Sequence, residues 1–457
     1  MKKLLLPICA VLMCMTSCQK EGNDILNLVM EEYTSDAKLH LDDDGYTVWD
    51  DGDSVWLSGG KYIVNVDGTK ATIRDVLLSK DNIYTAIYPY TLATDATSIT
   101  YPSTQKYEER NGIQKIAAPM AGVCGNGENT LKFHNLGAII AVNVTNSTSE
   151  AINVKKIEVI ADGDVELWGN YDIYSDYSIN YVDGGDSKVT LDCGWNGVSV
   201  ASGSSKKFYI ALPPVEAKLT VKVYDDYYYY TKGQQTSFPL ERSHGYNAGI
   251  TATSSDAART QYAPFNTQIM YTTTDGQALG DNFLSRVGTV NGDSYQVDGN
   301  WFTTFESTLT IIPNEAFAYS VPYNEFIAPL VTITLPTSVT SVGNGAFRAI
   351  KSLKYISMPG LISNPGGFFA FKDCTALETI ILGPSVIGLE ENTFDACTGI
   401  RDFYCYSTNP PTINVNYRDA TFYNCNLSSA TLHVPAGQAS AYRSTGWSDF
   451  GTILEDL

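Results

Sequence analysis

Apolar and polar residues alternate in short runs through most of this chain, and runs with helical spacing are few. In "KLTVKVYDDYYYYTK" (218–232), Leu219, Val221 and Val223 fall on one side of an extended backbone, and Asp225 and Asp226 interrupt the run. A period of two marks a half-buried strand. Two such runs around a polar turn predict a hairpin. "LGAIIAVNVTN" (136–146) is apolar at consecutive positions, which predicts a strand buried on both faces for part of its length. From Leu26 to about Thr253 this pattern, punctuated by Gly, Asn and Asp, predicts an all-β region of two β-sandwiches with a boundary near "NSTSEAIN" (146–153). The small, polar "TATSSDAARTQYAP" (251–264) reads as a linker.

Beyond the linker the pattern changes. Phe347, Phe371, Phe394 and Phe422 are 24, 23 and 28 residues apart. Three residues after them stand Ile350, Cys374, Cys397 and Cys425; Leu353, Leu377 and Ile400 follow at the sixth position. Ile356, Ile380 and Phe403 come at the ninth, and two further on Met358, Leu382 and Cys405. A period in the twenties with one short strand per copy predicts a leucine-rich solenoid, in which stacked coils share a core that no single coil could bury. Cysteines in phase with Ile350 point inward as small apolar side chains. Zinc favours close pairs such as Cys-x₂-Cys, which the repeats lack. Neighbouring coils about 5 Å apart are within reach of a bridge. The phase predicts free thiols, but spacing leaves the pairing of Cys124, Cys193, Cys374, Cys397, Cys405 and Cys425 open.

"FKDCTALETIIL", "LPTSVTSVGNGAF" and "TLHVPAGQASAYRSTGWSDFGTI" resemble the BspA-type leucine-rich repeats of bacterial surface proteins and their closing segment. "NTQIMYTTTDGQ" (266–277) is similar to the segment that often precedes them. The resemblance covers about residues 262–457, with about five coils and two loops lengthened by "AYSVPYNEFIAP" and "STNPPTINVNYRDA". It implies binding at a cell surface.

Upstream, "TVWDDGDSVWL" (47–57), "IYTAIYPY" (83–90), "ITYPSTQ" (99–105), "IAAPMAG" (116–122) and "LKFHNLGAIIAVNV" (131–144) resemble fimbrillin-like proteins, the anchoring or polymerising subunits of bacterial surface pili. That resemblance covers about residues 28–250 and implies two β-sandwiches. A polymerising fimbrillin ends soon after its second sandwich, whereas this chain continues.

The first residues are a leader. "MKKLLLPICAVLMCMTSC" has a basic start at Lys2 and Lys3, and its apolar stretch from Leu4 to Met15 is too short to span a bilayer. The closing "MTSC" resembles a bacterial lipobox, in which Cys18 becomes the acylated N-terminus. Acyl chains at roughly 0.8 kcal/mol per buried CH₂ give a firm membrane anchor. "QKEGND", next in line, loosely resembles a signal for export to the outer face of the cell. The domain order that follows is leader 1–17, tether 18–27, fimbrillin-like sandwiches 28–146 and 147–253, linker 254–264, and repeat domain 265–457.

Charge narrows the partners. With 30 Lys+Arg against 50 Asp+Glu, the formal net charge of −20 excludes nucleic acid as a natural partner, because phosphates must be neutralised to be bound. His40, His134, His244 and His433 are scattered, and neither a nucleophile elbow nor a phosphate-binding glycine loop is present. No catalytic residue, cofactor or metal is assigned. The acidic run "LDDDGYTVWDDGD" (41–53) lacks the spaced ligands of an EF-hand and reads as a turn between edge strands, with calcium as the other reading. Tyr224, Tyr227, Tyr228, Tyr229 and Tyr230 are more informative, since alternate members of a strand face opposite ways. Tyr227–Tyr230 form the candidate binding surface, with tyrosines at a domain junction as the other reading.

The sequence therefore predicts a non-enzymatic outer-membrane lipoprotein exposed at the cell surface, an adhesin or a pilus anchor or tip. Its partners would be the membrane through its lipid, host or bacterial surface proteins or glycans, and pilus subunits. A pilus structural subunit or a surface protein that binds or processes carbohydrate is the alternative.

Overall fold

A computed structural model describes residues 24–30, 49, 51–68, 70–76, 83–110, 113–116, 118–125, 128–321, 324–362 and 367–457. Residues 1–23, Cys18 among them, and most of the 41–53 run lie outside the described residues. The fold is all-β, and the chain forms two compact units, Met1–Arg259 and Thr260–Leu457.

In the first unit an eight-stranded sheet runs, in spatial order, Gly60–Ile63, Ser54–Leu57, Tyr84–Tyr88, Met120–Cys124, Thr130–Asn135, Asp24–Met30, Lys70–Val76 and Asn65–Asp67. Period-two alternation sends its side chains to two cores. Leu26, Val55, Ile73, Ala86, Leu131 and Phe133 pack on one face, while Ile87 and Ala121 pack with Ile99, Tyr101 and Tyr171 on the other.

Ala138–Asn146 is the central strand of a second sheet, antiparallel to Ser205–Leu212 and parallel to Gly245–Ala252. Ala138, Ile140, Val142 and Val144 meet Ile157, Val159, Leu191, Val221 and Val223 of the sheet opposite. Ile139 and Ala141 turn the other way, onto Ala118, Tyr209 and Ala211. The strand is buried on both faces, as its apolar run predicts. Both its hydrogen-bonding edges are taken by strands later in the chain, Ser205–Leu212 and Gly245–Ala252. Ser98–Tyr101 and Thr104–Lys106 also pair with later strands, Gly169–Ile173 and Lys188–Asp192.

Ser205–Leu212 is an edge strand of its sheet. Two glutamines close it. Gln105 Nε2 donates to the Ala211 carbonyl (2.7 Å), and its Oε1 accepts from the Ala211 amide (3.0 Å). Gln114 does the same at Tyr209, both bonds being 2.8 Å.

The second unit is the solenoid. Gln268–Thr273 lies antiparallel between Asn300–Thr304 and Leu330–Thr334 and opens the sheet. From Leu330–Thr334 a parallel ladder continues through Tyr355–Met358, Thr379–Leu382, Asp402–Cys405, Thr431–His433 and Thr452–Leu454. Ile333, Ile356, Ile380, Phe403 and Leu432 occupy one register position and are buried. The repeat phenylalanines stack: Phe317 on Phe347 at 4.9 Å between ring centroids, then Phe371 at 5.0 Å, Phe394 at 5.2 Å and Phe422 at 5.5 Å. Such pairs contribute about 0.5–1.5 kcal/mol each beyond the area they bury.

Beside this column runs a column of thiols. Cys374, Cys397 and Cys425 each donate at 3.0 Å to the carbonyl of the previous coil's phenylalanine, at Phe347, Phe371 and Phe394 respectively. These three and Cys405 are free thiols, buried except for the half-buried Cys425. Burial pushes Cys374 up to about 12, Cys405 up to about 11 and Cys425 up to about 12, and raises Cys397 as well. A thiol whose folded pKa is raised favours the fold below the unfolded pKa, near 9, and loses that contribution as pH climbs toward the folded value. Native protein should therefore resist thiol reagents at pH 8. Its stability should fall between about pH 9 and 12, by at most about 1.4 kcal/mol per pH unit for each thiol. Thiol titration with and without denaturant, and melts across that range, check both. Rapid native labelling of all four would refute it.

Candidate functional site

The tyrosine hairpin forms where the sequence places it, with Leu219–Tyr224 paired to Tyr228–Gly233. Asp225 builds the turn. Its Oδ1 accepts from the amides of Tyr227 (2.8 Å) and Tyr228 (2.7 Å), and its Oδ2 accepts from the Tyr230 hydroxyl (2.8 Å). Tyr230 is only 2% exposed. It is a core residue and leaves the candidate surface. Tyr224 likewise turns inward, donating to Glu158 Oε2 at 2.7 Å. Burial of Glu158 opposes ionisation, but hydrogen bonding and charge from Lys156, with Tyr224 and Lys188, hold its carboxyl below the usual range. Tyr227, Tyr228 and Tyr229 remain half-buried. The Arg259 guanidinium lies 3.9 Å from the Tyr228 ring centroid, and Lys222 Nζ lies 4.7 Å from that of Tyr229. Rings held in this way present a stiff surface.

A second surface arises from the register of the solenoid sheet. Between the inward positions, two rows point away from the core. One reads Thr332, Tyr355, Thr379, Asp402, Thr431, Thr452; the other reads Thr334, Ser357, Ile381, Tyr404, His433, Leu454. Tyr355, Ile381 and Tyr404 are half-buried, and Leu454 is 43% exposed. His433 lies flat on Tyr404, with centroids 4.1 Å apart and planes 9° apart. Its Nδ1 is 2.7 Å from Asp456 Oδ2 and its Nε2 is 3.3 Å from Asp402 Oδ1. Burial first, then the Asp402 and Asp456 carboxylates, raise the Tyr404 phenol above its usual range, so it stays a neutral donor. The face thus joins the half-buried Tyr404 on its buried partner His433, a row of hydroxyls, the half-buried Ile381 and the exposed Leu454. It suits recognition of another surface. The signal was available in the repeat, because outward phases alternate with the inward ones.

The other sequence candidates that fall among the described residues are absorbed by the fold. His134 stacks on Tyr177 at 4.1 Å, and His244 Nδ1 lies 3.0 Å from the Arg242 carbonyl oxygen. Asp53, from the acidic run, is ion-paired to Lys115, and Asp51 Oδ1 accepts from the Val66 amide. Among the described residues, no three His, Cys, Asp or Glu side chains converge on a metal site. No helix among them is long and apolar enough to cross a membrane.

Comparison with known proteins centres on the solenoid. The BspA-type leucine-rich repeat region model matches residues 310–438, in six copies. No curated protein matches the chain. Among solved structures it is similar to three provisionally named cell adhesion proteins. That from Bacteroides ovatus is 14% identical, with 53% of this chain and 96% of that one covered and a TM-score of 0.35. Those from Bacteroides uniformis and Bacteroides fragilis are each 12% identical; 53% of this chain and 97% and 96% of theirs are covered, with TM-scores of 0.29 and 0.31. Sequence period, strand register and family match all mark the same stretch as similar to BspA-type leucine-rich repeats.

Proposed function

We propose that the protein is a non-enzymatic surface adhesin: a lipoprotein acylated at Cys18, with two fimbrillin-like sandwiches followed by a leucine-rich-repeat binding domain. The observation carrying this reading is the outward face of the solenoid sheet, where the half-buried Tyr355, Ile381 and Tyr404 stand outside the hydrophobic core and Tyr404 is stacked on the buried His433. Tyr227, Tyr228 and Tyr229 supply a second candidate surface on the sandwich unit. We place it at the anchor or tip of a pilus, because the resemblance to fimbrillins is followed here by a repeat domain.

Binding of the mature chain to host cells and to a matrix-protein array tests the reading. Ile381→Asp and Tyr404→Ala should each weaken binding about tenfold or more while leaving the melting temperature within a few degrees. Retained binding in both variants would move the site off this face. Cys18→Ser should transfer the protein from the membrane fraction to the soluble fraction, because one residue carries all the acyl chains. Unchanged membrane association of the serine variant would defeat the lipoprotein assignment.

A further inference from the structure

One coil differs from its neighbours in carrying two aromatic residues where they carry small or polar ones. Two residues before four of the five ladder phenylalanines the backbone is left-handed, with φ +51° at Glu315, +59° at Gly345, +60° at Phe369 and +53° at Asn392, whereas Ala420, before Phe422, has φ −59°. Glycine and asparagine suit that conformation, whereas a bulky side chain there is an outlier. One residue earlier runs an asparagine ladder. Asn314 Oδ1 accepts from the Asn344 amide (2.7 Å), and Asn344 Oδ1 accepts from the Phe368 amide (2.9 Å). Phe368 has no acceptor to pass the ladder on. Neither ring gains burial in return, since Phe368 is 37% and Phe369 is 39% exposed. Two aromatic residues that strain or interrupt the repeat and stay in solvent are not explained by folding. Outliers of this kind mark function.

The two rings line a groove of about 340 Å³, near the lower end of the roughly 300–1,000 Å³ range of small-molecule sites. Glu315, Tyr319, Asn344 and Arg348 line it with them. Tyr319 comes from the insertion in the repeat, which forms the hairpin Ala318–Val321 with Asn324–Ile327. Its ring stacks on Phe326 at 4.9 Å, and the Arg286 guanidinium lies 4.0 Å from its centroid. Lys372 Nζ lies 5.3 Å from the Phe369 centroid. The aromatic surfaces are therefore held in place before any ligand arrives. Among the described residues, neither the Arg348 guanidinium nor the Glu315 carboxylate has a hydrogen-bonding or ion-pairing partner.

We propose that this groove binds a neutral sugar ring at the end of a surface glycan. Flat aromatic faces take up the apolar C–H face of a pyranose. Arg348 and Glu315 supply donors and acceptors for its hydroxyls. An acidic glycan would leave Glu315 opposed to it and would meet a chain of net charge −20. Most of the lining lies in turns, and only Ala318 and Tyr319 among the lining residues belong to a strand, which leaves an extended peptide little edge to extend. The proposal rests on the protein being a surface binder and adds a ligand class, at a place on the turns and not on the strands.

The test uses the mature full chain on an array of neutral oligosaccharides ending in galactose, glucose, mannose or N-acetylglucosamine, beside sialylated and sulfated glycans and short peptides. Binding to at least one neutral glycan is expected. Phe369→Gly should reduce it about tenfold or more with a melting temperature equal to or above that of the parent, because the strain is removed while the platform is lost. Arg348→Ala, an exposed position, should also weaken binding without lowering the melting temperature. Absence of binding to every neutral glycan, selectivity for the charged glycans or peptides, or full binding by Phe369→Gly would each overturn the proposal. Cell adhesion is scored in parallel. Adhesion without sugar binding sinks the groove alone, and loss of both sinks the surface-binder reading as well.

Discussion

Phe394→Ala is expected to destabilise the solenoid unit by about 3–5 kcal/mol, the cost of truncating a fully buried phenylalanine. Phe394 is 0% exposed, stacked between Phe371 (5.2 Å) and Phe422 (5.5 Å), with Phe403 edge-on at 5.8 Å. Removing it empties the middle of the column, and both neighbours lose a stacking partner. In a solenoid each coil leans only on the next, so the loss is concentrated at one junction and is poorly shared. Phe394→Leu keeps most of the volume and should cost distinctly less. Denaturant unfolding of the full chain, followed by the fluorescence of Trp447 and its neighbours, measures the difference. A cost under about 1 kcal/mol would mean that the column is not what holds the coils together.

Trp447→Ala should be at least as damaging, for a different reason. Trp447 is fully buried in the closing segment and packs against Phe403 (5.3 Å), Phe422 (5.6 Å) and Tyr442 (5.8 Å). Its indole donates to the Pro411 carbonyl at 2.8 Å. Truncation therefore opens the end of a stacked core and also leaves a buried carbonyl without its donor, which adds about 1–3 kcal/mol. Trp447→Phe separates the two contributions by restoring most of the ring and none of the hydrogen bond. The same segment would be needed if the protein lent a strand to a neighbour in a growing fibre. Since withdrawing it uncaps the solenoid, we expect the mature chain to stay monomeric by size-exclusion chromatography, whereas Trp447→Ala should self-associate. A parent protein forming SDS-resistant ladders would contradict this.

The solenoid was legible because its constraint is periodic. Phe347, Phe371 and Phe394, the cysteines three residues on, and the strands at Ile356 and Ile380 repeat one spacing, so each coil predicts the next. The sandwich unit offered no such redundancy. Alternation reveals that Ala138–Asn146 is a buried strand but not which strands flank it, and its partners lie at 205–212 and 245–252. Nor can alternation say which side of a hairpin a neighbouring sheet will cover. That is why Tyr230, grouped with the exposed tyrosines by sequence, sits under the hairpin on Asp225. The groove at Phe368 and Phe369 was readable in principle, as two aromatics at phases where other coils carry Asn, Asp, Glu, Gly or Ala. What the repeat pattern lacks is the backbone conformation that makes them costly.

Gln105 and Gln114 carry a consequence for life in a crowd. Tethered copies of one protein meet at far higher local concentration than free ones, and an open sheet border is where identical molecules zip together. By pairing with Ala211 and Tyr209 through both ends of their amides, the two glutamines act as a counterfeit strand that satisfies the border and offers nothing to copy. If the chain is anchored at Cys18 as proposed, this border keeps neighbouring copies on a crowded membrane from pairing edge to edge.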